Sequence, residues 1–194
     1  NVLAQLFVRR GLHLYTYNSF QSIIRGGHIF LTLRVSDQSI YSHGDKLDLL
    51  LCLNQDTMTR HQGLMGPGSR IIFNSDSISP GVSSDAIELC PIPVSQLTKN
   101  RNNLIQNTVA GGALMALLGL EFQILEDILS LRFQRQGQAV VDENVGVAQA
   151  GYDYAIANFQ VYPDPVPTGE KPLAVWSGND AIAMGGAAAG VNFY

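Results

Sequence analysis

The sequence is poor in cysteine and in charge. Its 194 residues include only two cysteines, Cys52 and Cys90, which are far apart and form no CxxC motif. Neither a disulfide framework nor an iron–sulfur cluster site can therefore be assigned, and a reduced, cytoplasmic location fits best. Charged residues make up 14% of the chain, the net charge is near −4, and no Lys/Arg block occurs. This balance argues against a nucleic-acid partner, which would require a basic face.

A long apolar run is also missing. The longest uncharged stretch, residues 102–120, is interrupted by asparagine, glutamine, threonine and glycine. A membrane span requires about 20 predominantly apolar residues, so this stretch predicts a buried helix and no membrane association. The chain is long enough to bury a sizeable core. Helical patterns run into both ends, at residues 1–11 and 185–194, and we expect a fragment cut at both ends.

Apolar periodicity predicts an α/β fold. Strands are expected at residues 12–17, 28–36, 47–54, 70–75 and 86–93, and helices at 1–11, 54–62, 94–99, 103–118, 121–134 and 138–159. The order favours a Rossmann-like, open and mostly parallel sheet flanked by helices, followed by a helical C-terminal part. The near-continuous apolar run 47–54 is expected to be a central strand covered on both faces. Residues 63–69, rich in glycine and proline, are expected to be a loop.

A proline-rich segment divides the last part of the chain. Residues 162–172 contain four prolines and predict an extended, semi-rigid spacer. After it, residues 173–191 predict a helix of small residues behind a Gly178-Asn179 turn, the beginning of a second α/β domain. Free amides at this helix start could hold an anion, or Asn179 or Asp180 could simply cap the helix.

The stretch Ser22-Ile23-Ile24-Arg25-Gly26-Gly27-His28 is the strongest candidate for chemistry. The two glycines allow sharp backbone turns or the close approach of a ligand. The Arg25 guanidinium offers a rigid charged fork for a carboxylate or phosphate. The other interpretation is an ordinary turn with a surface arginine before a strand.

Other candidate residues have simpler interpretations. Asn107 belongs to a polar band at the start of a glycine-containing helix, where it could contact a negative group or cap the helix. The four histidines, His13, His28, His43 and His61, lack metal-ligand spacing and are interpreted as structural. Cys52, within an apolar run, is interpreted as an inert core thiol.

Two motifs resemble one enzyme family. The run from Tyr17 to His28, followed by Leu33-Arg34-Val35-Ser36-Asp37, resembles the signature of the gamma domain of the 2-oxoacid:ferredoxin oxidoreductases. Gln21 stands where that family usually has proline. Gly178-Asn179-x-Ala181-Ile182-Ala183 resembles the opening of the family's alpha domain, and 144–154 resembles its late helix. Their order is typical of an alpha subunit with the gamma domain fused ahead of it.

The resemblance implies a domain division and a reaction. Residues 1–160 would be the gamma domain, 161–172 the linker, and 173–194 the start of the alpha, pyrimidine-binding domain. The complete enzyme would oxidatively decarboxylate a 2-oxoacid of the 2-oxoglutarate or pyruvate type with coenzyme A, giving acyl-CoA, CO2 and reduced ferredoxin. It would use thiamine diphosphate, Mg²⁺ and iron–sulfur clusters, none of them held by this fragment, which alone would be inactive.

The resemblance also implies partners and binding residues. The partners would be the beta subunit of the same enzyme, ferredoxin and coenzyme A, in an oligomer. The cofactor-binding residues would be Ser22, Arg25, Gly26, Gly27, Asn107, Gly178 and Asn179, with Arg25 on a coenzyme A phosphate or a neighbouring carboxylate. Two alternatives stay open: a non-catalytic assembly module, and an independent Rossmann-like nucleotide-binding protein. The residues that would select the 2-oxoacid are not identified.

Overall fold

Three parallel strands form the main sheet of the computed structural model, which describes residues 2–19, 27–81, 86–99, 105–163, 166–174 and 176–192. They are β3 (Leu47–Cys52), β4 (Met65–Asn74) and β5 (Glu88–Ile92), in the order β3-β4-β5. The apolar run of β4 lies at the centre of the sheet, where Ile71 and Ile72 are fully buried. The predicted α/β class with a parallel sheet flanked by helices is confirmed.

The first two strands form a separate antiparallel pair. β1 (His13–Asn18) pairs with β2 (Leu31–Ser36), with Tyr15 opposite Arg34 and Tyr17 opposite Thr32. The order of elements predicts one open, mostly parallel sheet, whereas these two strands pair with each other and not with the parallel strands among the described residues. An apolar pattern identifies a strand, but it does not encode the direction in which the strand pairs.

Two further expectations for the sheet are corrected. β3 pairs only with β4 within the described residues, so it lies at an edge and not at the centre. Its apolar run reflects coverage of both faces, which does not depend on the number of neighbouring strands. Residues 65–69 belong to β4 and not to a loop, because Met65 pairs with Leu47 beside a register shift. That irregularity accommodates glycine and proline within the strand.

The predicted helices are confirmed to within a few residues. They are α1 (Val2–Arg9), α2 (Gln55–His61), α3 (Val94–Leu97), α4 (Gln106–Leu117), α5 (Phe122–Phe133), α6 (Gln138–Asn158) and α7 (Gly178–Ala188). Gly11 ends the first helix with a φ of 77°, the left-handed conformation that its position predicts. No helix in the described part of the chain is long and apolar enough to cross a membrane.

The helices α4 and α6 pack against each other at glycine contacts. A Cβ built at Gly112 would overlap the carbonyl oxygen of Ala148, and one built at Gly151 would overlap that of Val109. The buried amide of Asn144 lies in the same interface, where its Oδ1 accepts a hydrogen bond of 3.2 Å from Thr108 Oγ1. The two backbones therefore approach as closely as the missing side chains allow.

The proline-rich segment is hydrogen-bonded to the end of α1. The amide of Gly169 donates to the carbonyl of Arg10 at 2.8 Å, and the amide of Leu173 donates to that of Val8 at 2.7 Å. Arg10 Nη2 also donates to Thr168 Oγ1 at 3.0 Å. These bonds attach residues 168–173 to the end of the first helix.

Candidate functional site

The predicted Arg-Gly-Gly site lies only partly within the described residues. Ser22, Arg25 and Gly26 are outside them. Gly27 is exposed and directly precedes His28, whose side chain is 9% exposed. The last residue of this stretch, His28, therefore has a largely buried imidazole.

His28 connects the stretch to both ends of α2. Its Nδ1 lies 3.0 Å from Asp56 Oδ2, and its Nε2 lies 2.8 Å from His61 Nε2. Arg60 Nε donates to the other Asp56 oxygen at 2.7 Å. Asp56 lies in the first turn of α2 and His61 is its last residue. The His28 ring therefore contacts both ends of this short helix.

The chemistry of this histidine pair follows from its geometry. A hydrogen bond between two Nε2 atoms contains one proton, so one ring donates and the other accepts. Burial lowers the pKa of His61, and the nearby charges of His28 and Arg60 lower it further. The hydrogen bond from Arg60 lowers the pKa of Asp56, and the nearby charges of Arg60 and His28 act in the same direction. At neutral pH, Asp56 is ionised and His61 is neutral.

Acidification is expected to destabilise the fold through His61. Its pKa in the folded protein lies below its ordinary value of 6.5, so between the two values the unfolded chain binds more protons. The free energy of unfolding should then fall as the pH is lowered from about 6.5 through the folded pKa. Urea titrations between pH 7 and pH 5 should show a weaker pH dependence for His61→Gln than for the wild type. Identical pH dependences would contradict the assignment.

An open pocket of about 330 Å³ lies beside the histidine pair. We call it the aromatic pocket, because four rings line it: Tyr17, Phe30, His43 and His61. The rings touch in sequence, with centroid distances of 5.4 Å from His43 to Tyr17, 6.0 Å from Tyr17 to Phe30 and 4.7 Å from Phe30 to His61. The pocket is formed by the β1–β2 pair, the segment that enters β3, and the end of α2.

Asn107 lies elsewhere, at the carboxyl ends of the parallel strands. It is the exposed second residue of α4 and lines a cavity of about 20 Å³ together with Cys52, Asn74 and Ile92. Ligands of open α/β sheets commonly bind at this edge. The cavity has room for about one water molecule, so the structure shows a helix start beside a narrow gap here.

Gly178 and Asn179 are the first two residues of α7, and both are exposed. The cap is Ser177, whose Oγ accepts a hydrogen bond of 3.1 Å from the amide of Asp180, while Asp180 Oδ2 accepts one of 2.9 Å from the amide of Ser177. The same Asp180 oxygen accepts a hydrogen bond of 2.7 Å from the Ser177 hydroxyl, and this bond and the one from the Ser177 amide lower the pKa of Asp180. Capping by Asn179 is therefore wrong. A carboxylate already occupies the helix start, where a bound anion would also be placed.

The predicted binding residues thus lie in different places. Gly27 leads to the histidine pair, Asn107 lies at the sheet edge, and Gly178 and Asn179 begin α7. No hydrogen bond or ion pair between described residues connects these places. Sequence reasoning missed the cluster that does form, because Asp56 and His61 lie about thirty positions after His28 in the chain.

Both cysteines are free and buried. Cys52 is 1% exposed and Cys90 is fully buried. Burial raises the pKa of each thiol to about 12, which confirms the interpretation of Cys52 as an inert core residue. Within the described residues, no group of three or more His, Cys, Asp and Glu side chains could hold a metal ion.

Native alkylation tests that burial. Iodoacetamide at pH 8 is expected to leave both cysteines unmodified in the folded chain, because only the thiolate reacts and the thiols are protonated and inaccessible. The intact mass should increase by two carbamidomethyl groups only after unfolding in guanidinium. Modification of either cysteine under native conditions would show that the strand containing it is more accessible than the structure indicates.

Comparison with known proteins identifies a family match. The family described as POR, pyruvate ferredoxin/flavodoxin oxidoreductase, matches residues 1–154. A relative in Mycobacterium tuberculosis, 2-oxoglutarate oxidoreductase subunit KorA, is 23% identical over 188 residues, covering 81% of this chain and 28% of the relative.

Two solved structures resemble the chain. One is 2-oxoglutarate:ferredoxin oxidoreductase from Magnetococcus marinus with 2-oxoglutarate, coenzyme A and succinyl-CoA bound, with a TM-score of 0.86 and 27% identity over 96% of this chain and 33% of that one. The other is the gamma subunit of a keto/oxoacid ferredoxin oxidoreductase from Geobacter sulfurreducens, with a TM-score of 0.60 and 22% identity over 80% of this chain and 88% of that one. The second likeness establishes the fold alone. The chain spans 28% and 33% of the Mycobacterium and Magnetococcus proteins.

Proposed function

Because the chain belongs to the pyruvate ferredoxin/flavodoxin oxidoreductase family, we propose that it is part of a coenzyme A-dependent 2-oxoacid:ferredoxin oxidoreductase. The observation that carries this proposal is the likeness to the Magnetococcus enzyme, which extends over 96% of the chain with a TM-score of 0.86. That enzyme holds 2-oxoglutarate, coenzyme A and succinyl-CoA. We take 2-oxoglutarate as the first substrate to test.

The proposed domain division follows the chain's own elements. Residues 1–160 would form the gamma domain, which ends just after α6. Residues 161–172 would form the linker, and 173–194 would begin the alpha domain with α7. The family match up to residue 154 supports the first boundary. The bonds from Gly169 and Leu173 to the end of α1 would then fix where the second domain starts.

The proposed reaction balances without further reactants. The bond between the keto carbon and the carboxylate of the 2-oxoacid breaks, and CO2 leaves. The acyl carbon forms a thioester with the coenzyme A sulfur, the thiol proton is released, and two electrons pass to ferredoxin. Thiamine diphosphate supplies the carbanion stabilisation that this class of decarboxylation requires.

The described residues do not fit the metal-containing groups of such an enzyme. Cys52 and Cys90 are buried in two different core clusters, which is incompatible with ligating a shared iron–sulfur cluster. No group of metal-binding side chains accompanies them among those residues. We therefore assign the clusters, Mg²⁺ and thiamine diphosphate to other parts of the complex, with the beta subunit and ferredoxin as partners. Two unpaired cysteines suit a cytoplasmic enzyme.

The chain's own part in the reaction would be to contact coenzyme A and neighbouring domains. Arg25, Gly26 and Gly27 would line the junction with the catalytic domains, with Arg25 on a coenzyme A phosphate or a neighbouring carboxylate. Ser22, Asn107, Gly178 and Asn179 stay predicted contacts. Arg25→Ala in the full complex should raise the KM for coenzyme A or weaken assembly; wild-type values for both would refute the role.

The experiment for the proposed function uses the full-length chain with its partner subunit. The complex is purified without oxygen, and reduction of a viologen dye is followed with a panel of 2-oxoacids, each with and without coenzyme A. Coenzyme A-dependent reduction with 2-oxoglutarate is the expected result. If no acid supports reduction in a complex that contains thiamine diphosphate and iron, the proposed activity is wrong.

A second role, subunit or domain assembly, is favoured by one observation. Helix α7 contributes no buried residue in the described structure, and its Ile182 is 75% exposed and Met184 is 56% exposed. Exposed apolar side chains that cluster on one element are typical of a protein–protein interaction site. Ile182→Lys should then weaken association with the rest of the enzyme in native mass spectrometry. Unchanged assembly would remove this role.

A further inference from the structure

We propose that the contact between His28 and His61 is a proton-sensitive latch, which holds one end of the β1–β2 pair against α2 and releases it when both imidazoles are charged. The end concerned is the one where Asn18 pairs with Leu31, and we call it the distal end. The latch does not depend on the enzymatic reaction proposed above. It implies that mild acid opens this part of the fold locally, before the whole chain unfolds.

The other end of the strand pair is anchored in the core. β1 begins directly after Leu12, which is fully buried and whose amide donates to the carbonyl of Phe7 at 3.1 Å. Val35 of β2 packs against the core cluster that contains Leu12. Because Val35 pairs with Leu14 near the start of β1, both strands are fixed to the core at this end.

The distal end has a weaker attachment. Neither strand contains a buried residue, and a two-stranded sheet is only marginally stable by itself. The amide of Ser19 donates to the carbonyl of Phe30 at 3.0 Å, which closes the pair at this end. The distal end meets α2 through rings, since His61 lies 4.7 Å from Phe30 and 4.9 Å from His28 between ring centroids. These ring contacts are therefore an important part of its attachment.

Helix α2 is the fixed side of the latch. Its Met58 is fully buried, and Asn54 caps the helix by accepting from the amide of Thr57 at 2.9 Å. Gln55 binds the segment after β4 twice, donating to the carbonyl of Ser79 at 3.0 Å and accepting from its amide at 2.9 Å. Opening of the latch is therefore expected to move the distal end of the strand pair and not α2.

The number of protons on the two imidazoles decides whether the latch is closed. Their Nε2 atoms lie 2.8 Å apart, so one nitrogen must donate and the other must accept. With no charge or one charge on the pair, an accepting nitrogen remains. With two charges both Nε2 atoms carry a proton, no acceptor is left, and the two positive rings repel each other. The second charge is therefore the one that opens the latch.

Asp56 sets the order in which the two rings become charged. Its Oδ2 lies 3.0 Å from His28 Nδ1, so the first positive charge is stabilised on His28. The second proton must then bind to His61, whose pKa is lowered by burial and by the charges of His28 and Arg60. The charge of Asp56 raises the pKa of His61, but this effect is smaller than the others.

Other titratable groups face His61 across the aromatic pocket. Tyr17 belongs to β1, and His43 and Asp45 belong to the segment that enters β3. His43 stacks on Tyr17 with a centroid distance of 5.4 Å. The charges that shift the pKa of His61 come from His28 and α2. Protonation of His43 is therefore not expected to open the latch.

Hydrogen exchange at a series of pH values tests the latch in the complex of the full-length chain with its partner subunit. The ordinary pKa of His61 is 6.5, and its pKa in the closed latch lies lower. After correction for the intrinsic pH dependence of exchange, opening should increase below about pH 6.5, by up to about tenfold per pH unit, and level off below the closed pKa. Residues 16–18 and 31–33 should lose protection in this range, whereas α4 and α6 should not.

His61→Gln is the decisive variant. Glutamine can still donate to or accept from His28 Nε2, but it cannot bind the second proton. The distal end should then keep the same protection between pH 7 and pH 5. His43→Gln is the matched control, because it removes a titrating ring from the same pocket and leaves the contact between His28 and His61 in place. It should show the pH response of the wild type.

Several results would overturn the latch. They are protection of the wild-type distal end that does not change with pH, a wild-type response in His61→Gln, and an equal loss of protection in α4 and α6. His28→Gln, which removes the other charge, should behave like His61→Gln. If both glutamine variants have already lost distal protection at pH 7, the two rings act through packing and not through their protons, which also contradicts the proposal.

Discussion

Gly112→Ala is expected to destabilise the fold by about 3 kcal/mol or more, the upper range for overpacking a core. The new methyl group would overlap the backbone carbonyl oxygen of Ala148, and a backbone atom cannot rotate away as a flexible side chain could. The helices α4 and α6 would have to separate along their contact, exposing buried residues such as Val109 and Ala113. Urea unfolding followed by circular dichroism measures the change.

The neighbouring glycine is the matched control. A Cβ built at Gly111 meets nothing within 4 Å, although it lies in the same helix. Gly111→Ala should therefore raise the free energy of unfolding by about 0.5–1 kcal/mol, the usual helix preference for alanine. Similar effects of the two substitutions would show that the close approach of α4 and α6 is wrong.

Glu88→Gln should cost about 2 kcal/mol of stability, since it leaves a buried guanidinium without its carboxylate. Arg70 is 5% exposed, and its Nε donates to Glu88 Oε2 at 2.8 Å. The other described contacts of the guanidinium are the carbonyl of Gln160 and the ring of Tyr162. Because Glu88 itself is 42% exposed, the expected cost lies below that of breaking a fully buried pair.

An exposed carboxylate serves as the control for that measurement. Asp153 accepts a hydrogen bond from Gln149 on the surface of α6, and Asp153→Asn should change the free energy of unfolding by less than about 0.5 kcal/mol. If Glu88→Gln has an effect as small as this, the Arg70 pair contributes little and the attachment of residues 160–162 to the sheet depends on other contacts.

The elements of the fold could be predicted because each has a local signal. Helix α1 ends at Gly11, where the backbone needs a left-handed residue, and Asn54 caps α2 by accepting from the amide of Thr57 at 2.9 Å. Strand partners have no such signal. The antiparallel β1–β2 pair, the edge position of β3 and the inclusion of residues 65–69 in β4 all depend on contacts between distant segments.

The candidate site was less predictable for the same reason. The motif pointed to Gly27, but the aromatic pocket combines Tyr17, Phe30, His43 and His61, which no spacing rule relates to one another. His28 gains its partners from a helix that begins 27 positions later, at Gln55. The sequence predicts structural histidines, and the contacts of His28 with His61 and Asp56 form only where the strand pair and α2 lie side by side.

Product analysis of the complete enzyme tests the central assignment most directly. An anaerobic reaction containing the full-length chain, its partner subunit, 2-oxoglutarate, coenzyme A and viologen would be analysed for succinyl-CoA, CO2 and reduced dye. We expect the thioester and CO2 in equal amounts, with two equivalents of one-electron-reduced dye and no reaction when coenzyme A is omitted. Dye reduction without thioester, or at the same rate without coenzyme A, would contradict the assignment.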